Sequence, residues 1–497
     1  MLFNSIPYIL FLPLVLLIFY LIPNRFRYIW LLVCSYFFYM CWNARYLILI
    51  LISTLITWYC GLSIEKAENS GDDDAKRIRR KKSYVVFGLV LNLGILFFFK
   101  YFHFAFDNLA ALLSLLHISL PRPAFDVLLP VGISFYTFQA LGYMIDVYRG
   151  DTKAEHNVLR YALFVSFFPQ LVAGPIERSG NLLGQLAEPK KLKFDNLLEG
   201  LYLFLWGYFL KIVLADRIAL FVDTVYGPNY MDFGGITVIL ATVLFAVQIY
   251  CDFAGYSVIA MGSAKMLGVD LMENFDTPYF SRTVAEFWRR WHISLSSWFR
   301  DYLYIPLGGN RRGKLRKALN VMITFTVSGL WHGASWGFVV WGFLNGLFQL
   351  IGGVLRPLRE KLSRALCLGP DSFGYRLVQT LITFVLVDLT WVFFRAPSVR
   401  AGVQMIRSMR YIKADMLFVP LPLYPLDGPN TRLLLASLLL LFAADAAKYR
   451  GVKLRAFFMR QDWLFQAVFL SLCICAILLF GIWGRGYDAA SFIYFQF

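Results

Sequence analysis

The chain has 497 residues, of which 59% are hydrophobic and 18% aromatic, and its formal net charge is +17. Soluble globular domains are about 45–50% apolar, so the composition excludes an ordinary soluble protein and predicts an all-α polytopic membrane protein. Excess Lys and Arg is typical of cytoplasmic loops beside anionic headgroups, which makes the lipid bilayer the expected partner and argues against nucleic acid.

The cysteines and the N-terminal segment indicate no special chemistry. The seven cysteines form no CxxC pair and no Cys/His metal spacing, so neither a disulfide framework nor a metal site is expected. The opening apolar run lacks a basic region before it and a small-residue cleavage site after it. We therefore expect a retained first span.

Thirteen apolar runs approach the ~20 residues that a membrane span requires. They lie near 6–22, 28–42, 46–64, 84–102, 127–147, 158–175, 196–222, 235–262, 318–331, 334–354, 375–395, 432–447 and 463–484. Several are interrupted by Pro, Gly or polar residues, which predicts that some are re-entrant or interfacial helices. About 10–12 true transmembrane helices are expected.

Basic clusters between the early spans predict the orientation. Segment 65–83 holds seven Lys and Arg residues, and Arg25 and Arg27 lie between the first two spans. Both clusters are cytoplasmic if the N-terminus lies outside. We expect 65–83 to be a solvated linker, and the Pro-rich segment 413–431 to be an extramembrane loop or lid.

Two proline-bearing segments follow. "LPVGISFYTFQALGYMIDVYRG" contains Pro130, and "FVSFFPQLVAGPIER" contains Pro169 and Pro175. Proline breaks helices, so the second segment is predicted to be re-entrant or kinked.

Polar residues then interrupt the apolar run 235–262. Gln248, Asp252 and Tyr256 recur at every fourth position and so share one helix face. An ionisable residue within a span normally faces the bundle interior or water. Asp252 is expected to orient a histidine or to pair with an arginine.

The segment 286–317 carries eight basic and two acidic residues, a net charge of +6, and includes His292. Helical spacing would place Trp288 and Arg289 on the face of His292. One interpretation is an amphipathic interfacial helix that holds anionic lipid headgroups. The other is a cytoplasmic mouth that attracts a phosphorylated donor, although the segment is not a P-loop.

His332 lies between two apolar runs in "FTVSGLWHGASWGFVVWGFLNG", flanked by Trp331 and followed by Trp336. The glycines around it allow a helix break, and a broken helix in a membrane protein lines a cavity. His332 is therefore either a general base near neutral pH or a core histidine bonded to a nearby carbonyl.

Together these motifs resemble the membrane-bound O-acyltransferase (MBOAT) superfamily, in particular its bacterial alginate O-acetylation branch. The resemblance is carried by the opening "LPLVLLIFYLIP" and then by "LPVGISFYTFQALGYMIDVYRG", "FFPQLVAGPIER", "QIYCDFAGYSVIAMG", "FWRRWHISLSSWFRDYLYIPLGGNR" and "SGLWHGASWGFVVWGFLNG". It implies one membrane-embedded domain over residues 1–497. The catalytic core would span about 127–346, the C-terminal spans 375–484, and the helices would surround a central tunnel.

The resemblance also implies the site residues. His332 matches the family's invariant histidine and His292 its second active-site position. The implied donor-binding residues are Arg289, Arg290, Arg300 and Arg311, because arginine suits the phosphates of CoA. The implied tunnel or support residues are Gln248, Asp252, Tyr256, Trp331 and Trp336.

The implied activity is transfer of acetyl from cytosolic acetyl-CoA across the bacterial inner membrane, for O-acetylation of a surface or secreted polysaccharide such as alginate, peptidoglycan or cellulose. A periplasmic or extracellular acetyltransferase would be the partner, and no bound cofactor or metal is expected. Two alternatives remain: a transporter or flippase without chemistry, and an acyltransferase for lipids or proteins.

Overall fold

A computed structural model describes residues 1–121, 129–172, 174–233, 235–369, 371–411 and 425–483. Regular secondary structure in these ranges is helical, without a β-strand, which confirms the all-α class. The chain forms two compact units, described separately below, and the single domain stays a prediction. Of the predicted Pro-rich loop, residues 413–424 lie outside the described ranges.

The first unit comprises Met1–Leu201 and Ala260–Met272. Its helices are α1 (Ile6–Leu21), α2 (Asn24–Asn43), α3 (Leu47–Glu68), α4 (Asp74–Leu96), α5 (Phe102–Ser114), α6 (Ile133–Arg149), α7 (Val158–Ser166), α8 (Phe168–Leu171) and α9 (Ser179–Ala187). Helix α3 packs against α4, α6 and α7. Helix α6 is buried along nearly its whole length, so the motif "LPVGISFYTFQALGYMIDVYRG" contributes a central helix to the core of this unit.

The second unit comprises Tyr202–Ile259 and the described part of Glu273–Phe497. Helices α10 (Phe194–Tyr208) and α12 (Gly235–Met266) have residues in both units. The remaining helices are α11 (Asp216–Val225), α13 (Val284–Arg290), α14 (Ile293–Phe299), α15 (Gly313–His332), α16 (Trp336–Val354), α17 (Arg356–Ala365), α18 (Phe373–Arg395), α19 (Val399–Ser408), α20 (Gly428–Tyr449), α21 (Leu454–Met459) and α22 (Trp463–Phe480). Helices α15 and α16 pack as a hairpin, and α18 packs on α16.

Among the described residues, eight helical segments are long and apolar enough to cross a membrane. One of them, Asn24–Glu68, contains α2 and α3, which meet at a short 3₁₀ turn. Counting these two separately and adding the shorter apolar helix α1 gives ten helices, the lower end of the expected range. The protein is therefore a multi-pass membrane protein, as its composition predicts.

The segment 65–83 is not the solvated linker expected from the sequence. Only residues 69–73 are non-helical, because α3 extends to Glu68 and α4 begins at Asp74. The acidic residues that looked like linker residues pair with the basic ones: Asp74 lies 2.6 Å from Arg77, and Asp72 lies 2.9 Å from Lys76. The Asp74–Arg77 pair lies within the first turn of α4, and Asp72 reaches Lys76 from just before the helix. Such pairs stabilise the start of a helix where mixed charge alone indicated a loop.

The predicted break in "FVSFFPQLVAGPIER" is confirmed. Helix α7 ends at Ser166, and Phe167 leaves the helical region with ψ near 110° before the four-residue helix α8 containing Pro169. Pro169 has no backbone N–H and is tolerated only in the first turn of a helix, so α7 cannot continue unbroken through it and a new helix begins at Phe168. Residues 174–178 are not helical, and α9 begins at Ser179.

Two glycines allow α15 and α16 to approach closely enough to place His332. A Cβ on Gly329 would collide with the carbonyl oxygen of Phe338, and a Cβ on Gly342 would lie 3.1 Å from the Cα of Gly329. Small residues let membrane helices pack backbone to backbone. The hairpin turn between the two helices therefore holds His332, the last residue of α15, in one position.

Candidate active site

His292 lies at a break between two short helices. Helix α13 is capped by Thr283, whose Oγ1 accepts from the Glu286 amide at 3.1 Å, and it ends at Arg290. His292 then takes the left-handed conformation, with φ of +45°, and α14 begins at the next residue. The prediction that Trp288 and Arg289 share a helix face with His292 is wrong, because the backbone leaves the helix between them.

A left-handed conformation costs a non-glycine residue about 1–2 kcal/mol, so neighbouring contacts must hold it. Asn274 makes those contacts. Its backbone carbonyl accepts from the Ile293 amide at 2.9 Å. Its side-chain Oδ1 accepts from the Ser294 amide at 3.2 Å and from the Ser294 hydroxyl at 2.9 Å. Its Nδ2 donates to Ser257 of α12 at 3.2 Å.

The same Asn274 oxygen lies 3.1 Å from His292 Nδ1. Because this oxygen accepts from a backbone amide, the Asn274 side chain cannot be flipped, and Nδ1 of the imidazole must carry the proton. Nε2 therefore holds the lone pair. His292 is fully buried and lies outside the eight candidate spans. Burial lowers the pKa of His292 to about 3, so the ring is neutral at physiological pH.

His332 lies beside His292 within a cluster of aromatic rings. The two imidazole centroids are 6.4 Å apart. The indole of Trp331 contacts both, at 5.1 Å from His332 and 6.1 Å from His292. Trp341 lies 5.0 Å from His332 in an edge-to-face arrangement. The ring of Phe253 approaches His292 at 4.6 Å from the side of α12.

Trp331 and Trp336, both predicted as support residues, occupy different environments. Trp331 is buried between the two histidines. Trp336 begins α16 and exposes 57% of its surface. The structure thus places Trp331, but not Trp336, among the rings around the imidazoles.

A cavity of about 460 Å³ opens next to this cluster within the second unit. Its basic lining residues are Arg289, Arg300 and Lys317. Its other lining residues include Trp288, Ile293, Ser296, Ser297, Phe299, Tyr304, Asn310, Phe325 and Ser328. Neither histidine lines it, but Ile293 directly follows His292 and Ser328 precedes His332 by one helical turn.

An aromatic contact chain joins the cavity to His332. Trp288 lines the cavity, and its ring lies 5.5 Å from Trp341, which in turn contacts His332. The indole Nε1 of Trp288 donates to Asn345 Oδ1 at 3.1 Å, which fixes the orientation of the ring. Two successive indole rings, Trp288 and Trp341, therefore connect the cavity to the imidazole of His332.

The four arginines predicted to bind the donor fall in different places. Arg289 and Arg300 line the cavity, and Arg300 also pairs with Asp301 at 2.7 Å. Arg290 is outside the lining, where it pairs with Glu286 and Asp276, each at 3.0 Å. Arg311 is exposed and also outside the lining. Lys317, which the sequence pattern did not single out, joins the lining instead.

The predicted face of Gln248, Asp252 and Tyr256 is buried, and Asp252 forms an ion pair with a lysine rather than the expected arginine. Lys211 Nζ lies 2.6 Å from Asp252 and 2.8 Å from Asp216. Lys211 is 1% exposed and stands over the ring of Tyr256 at 5.6 Å. Paired charges satisfy one another where an isolated one would be costly.

Sequence reasoning missed Lys211, although a signal was present. It is the single charged residue between Glu199 and Asp216, in the apolar run "LYLFLWGYFLKIVLA". An ionisable residue within a span is a functional or structural marker by default. It lies in a π-helical stretch, Phe209–Ala215, and such stretches frequently mark special sites in helices.

Comparison with known proteins identifies the family. The model of the membrane-bound O-acyltransferase (MBOAT) family matches residues 153–365. The probable alginate O-acetylase AlgI of Pseudomonas aeruginosa is 38% identical over 400 residues, which cover 80% of this chain and 73% of that protein. This chain belongs to the membrane-bound O-acyltransferase family. The matched residues include both histidines and the cavity-lining arginines.

Two further relatives of this MBOAT protein act on other acceptors. The peptidoglycan O-acetyltransferase of Helicobacter pylori is 32% identical, with 77% of this chain and 73% of the relative covered. The teichoic acid D-alanyltransferase of Streptococcus thermophilus is 28% identical, and the match covers 53% of this chain and 68% of that relative. The MBOAT protein is therefore a membrane O-acyltransferase, which excludes the alternative of a transporter without chemistry.

Proposed function

We propose that this MBOAT protein takes an acetyl group from cytosolic acetyl-CoA and passes it across the bacterial inner membrane for O-acetylation of a surface or secreted polysaccharide. The observation that carries the proposal is the cavity with three cations that ends one helical turn from His332. The relatives named as alginate and peptidoglycan O-acetyltransferases support the acetyl group and the polysaccharide acceptor.

The cavity suits the phosphorylated end of a CoA thioester. Arg289, Arg300 and Lys317 line it, and guanidinium groups bind phosphate oxygens in a paired geometry. Tyr304 and Trp288 provide apolar and aromatic walls for the remainder of the donor. A thioester that enters here approaches His332 through the layer formed by Trp288 and Trp341.

In the proposed reaction His332 is the general base. It takes the proton of the hydroxyl that first receives the acetyl group, before the partner completes transfer to the sugar, as that hydroxyl oxygen forms a bond with the thioester carbonyl carbon. The carbon–sulfur bond then breaks, and the departing thiolate receives that proton, so CoA leaves as the free thiol. A thioester is already activated, so positioning the reactants and supplying a base account for the chemistry.

His292 has a different part in this proposal. Its Nδ1 donates to Oδ1 of Asn274, so Nε2 of the neutral ring can accept a hydrogen bond but cannot donate one. An acceptor nitrogen beside the base can orient the imidazole of His332 or the incoming hydroxyl. This nitrogen cannot donate a hydrogen bond to the oxyanion that forms when the thioester is attacked. We therefore give His292 an orienting role.

The predicted partner is a separate acetyltransferase on the periplasmic or extracellular side, which completes transfer to the sugar hydroxyl. The basic residues Arg25 and Arg27, and the segment 65–83, support a cytoplasmic position for those helix ends. The donor then enters from the cytoplasm and the acyl group leaves on the other side.

The test is acyl transfer in proteoliposomes that contain the purified full-length protein and radiolabelled acetyl-CoA. His332→Ala should lower the rate of label transfer by about 10²–10⁴, the contribution of a positioned base. His156→Ala is the matched control, since His156 is largely exposed and pairs with Glu65 at 2.8 Å on the first unit. Wild-type transfer by His332→Ala would remove His332 from the mechanism.

The nature of the acceptor needs its own measurement. Labelled product should appear in an oligosaccharide of alginate, peptidoglycan or cellulose type when the partner acetyltransferase is supplied. Label recovered in lipid or protein instead would favour the other acyltransferase activities of the superfamily. If CoA is released but no label is found in oligosaccharide, lipid or protein, the thioester has been hydrolysed, and the proposed acceptor is contradicted.

A further inference from the structure

We propose that the first unit binds the phosphate of an anionic phospholipid in a cationic cavity at the ends of α1, α2 and α9. The cavity has a volume of about 180 Å³. Its charged lining residues are Arg25, Arg27, Arg160, Lys190 and Glu188. Four cations against one carboxylate leave a net charge of +3, which is complementary to a phosphodiester.

The cations differ in how firmly they are engaged. Arg27 is a wall of the cavity: its guanidinium donates to the carbonyls of Ile22 and Tyr20, each at 3.1 Å, and to that of Lys190. These bonds tie the end of α1 to the segment after α9. Arg27 therefore shapes the cavity and contributes charge, while its remaining N–H groups leave capacity for one more acceptor.

Arg160 and Lys190 are held loosely. Arg160 Nη1 lies 3.3 Å and 3.4 Å from the two Glu155 oxygens, and Lys190 Nζ lies 3.4 Å from Glu188. These contacts are longer than the 2.7–2.9 Å of strong charge-assisted hydrogen bonds. Arg160 Nε is buried without a hydrogen-bond partner among the described residues. A phosphate oxygen in the cavity would give these side chains the short contacts that they lack.

The surroundings favour a lipid over a free anion. Leu10, Leu14, Leu17 and Leu21 form one stripe along α1, and their exposed fractions lie between 55% and 74%. Such a stripe faces acyl chains in a membrane protein. It ends three residues before Asn24, which lines the cavity. A lipid with its phosphate in the cavity can therefore lay its chains along α1.

The predicted orientation agrees with this ligand. Arg25 and Arg27 belong to the basic cluster that indicates the cytoplasmic side, where anionic lipids attract Lys and Arg. A single water needs about 10–15 Å³ of such space, so 180 Å³ accommodates a phosphate and adjoining glycerol atoms. A choline headgroup would bring its quaternary ammonium, a fifth cation, into a cavity that already has four, and is disfavoured.

Native mass spectrometry of the full-length protein in a neutral detergent tests the proposal. The protein is mixed with equal amounts of phosphatidylglycerol and phosphatidylcholine that have the same acyl chains. We expect the wild type to retain phosphatidylglycerol at least about fivefold over phosphatidylcholine. The double variant Arg25→Gln with Lys190→Gln should lose that preference.

The matched control is Arg450→Gln with Lys453→Gln, which removes the same charge from two exposed residues of the second unit. It should keep the wild-type preference, and an equal loss in both double variants would mean that general charge, not this cavity, selects the lipid. Arg25 is exposed, so Arg25→Gln alone should fold and show a smaller loss. Full retention in both Arg25→Gln and the double variant overturns the proposal.

A second measurement separates the lipid from a free anion. Phosphatidylglycerol, and not millimolar inorganic phosphate, should raise the melting temperature of the detergent-solubilised protein. If inorganic phosphate raises it equally while no lipid is retained, the cavity is a site for a free anion and the lipid assignment is wrong. Neither readout depends on acyl transfer, so this proposal stands or falls separately from the proposed enzymatic function.

Discussion

The imidazoles of His292 and His332 lie 6.4 Å apart, although forty positions separate the two residues in the chain. Each ring is placed by a local break in helix. His292 takes a left-handed conformation between α13 and α14, and His332 ends α15 at the glycine-packed turn to α16. The two imidazoles become neighbours because tertiary packing brings these two helix ends together. The indole of Trp331 contacts both imidazole rings.

The tautomer of His292 should depend on Asn274. Asn274→Ala removes the acceptor of the Nδ1 proton and should lower turnover by about 10–100-fold, while KM for the donor changes little. Asn274→Asp places a carboxylate beside Nδ1 and should favour the imidazolium, which raises the pKa of His292 and shifts the pH profile of transfer.

A merely structural role for Asn274 would give a different pattern. It would lower the melting temperature and total activity in both variants without moving the pH profile. Identical profiles for wild type and Asn274→Asp, measured per folded molecule, would show that Asn274 does not control the protonation of His292.

The cavity cations should govern donor affinity. Arg289→Gln and Arg300→Gln each remove hydrogen bonds to a charged group, worth about 1.5–3 kcal/mol, and should raise KM for acetyl-CoA about tenfold or more. The effect should shrink at high ionic strength because salt screens partly exposed charges. Steady-state kinetics at two salt concentrations provide the measurement.

Arg316→Gln is the control for those variants, because Arg316 is an exposed cation of the same segment outside the cavity lining. It should leave KM within about twofold of the wild type. If all three variants raise KM equally, attraction by overall charge explains donor binding, and the cavity loses its specific role.

Close packing of α15 on α16 should be sensitive to one methyl group. Gly329→Ala would force the two backbones apart, since its Cβ would meet the carbonyl of Phe338. We expect a loss of about 1–3 kcal/mol in stability together with reduced transfer, because His332 lies one turn further along α15. Thermal unfolding in detergent and acyl transfer measure the two effects.

Gly353→Ala is the control for Gly329→Ala in the same hairpin. Gly353 belongs to α16, and a Cβ there would meet no atom within 4 Å. Alanine is the better helix former by about 0.5–1 kcal/mol, so this variant should be as stable as the wild type or slightly more so. Equal destabilisation by both substitutions would contradict the close-packing argument.

Protonation of His292 should weaken the fold at acidic pH. Its pKa is about 3 in the folded protein and about 6.5 in an unfolded chain. Between these values the unfolded state binds more protons, so this histidine makes stability fall as the pH drops below about 6.5. The melting temperature should decrease from pH 7 to pH 4.5, and His292→Asn should reduce the slope.

Asparagine suits that comparison because it tolerates the left-handed conformation of residue 292 and does not titrate. Carboxyl groups also titrate between pH 7 and pH 4.5, but they are the same in the wild type and in His292→Asn. The difference between the two slopes of melting temperature against pH therefore isolates His292. A His292→Asn variant with the wild-type slope would show that burial does not keep this imidazole neutral.

Several features followed from the sequence because they depend on local properties. Long apolar runs predicted the spans, the glycine-rich motif predicted the break at His332, and the proline motif predicted the break after Ser166. Hydrophobicity, proline and glycine act on the residues around them, so a single sequence reports them directly.

Other features did not follow, and each involves a partner that is distant in sequence. A continuous helix was expected through His292, whereas the hydrogen bonds of Asn274, eighteen positions earlier, hold a left-handed residue there. Asp252 was expected to orient a histidine or to pair with an arginine, and it pairs with Lys211. Arg289 and Arg300 line the cavity, whereas Arg290 pairs with Glu286 and Asp276.

The sequence by itself determined that this protein spans a membrane, where its long apolar segments lie, and which family it resembles. Only the tertiary structure decided which polar groups meet: the two imidazoles, Asn274 with His292, and Lys211 with Asp252. The reason is physical. The free energy of transferring a segment into the bilayer depends on the composition of that segment alone. A buried polar group, in contrast, requires a hydrogen-bond or ion-pair partner, and the packing of distant segments decides which partner it meets.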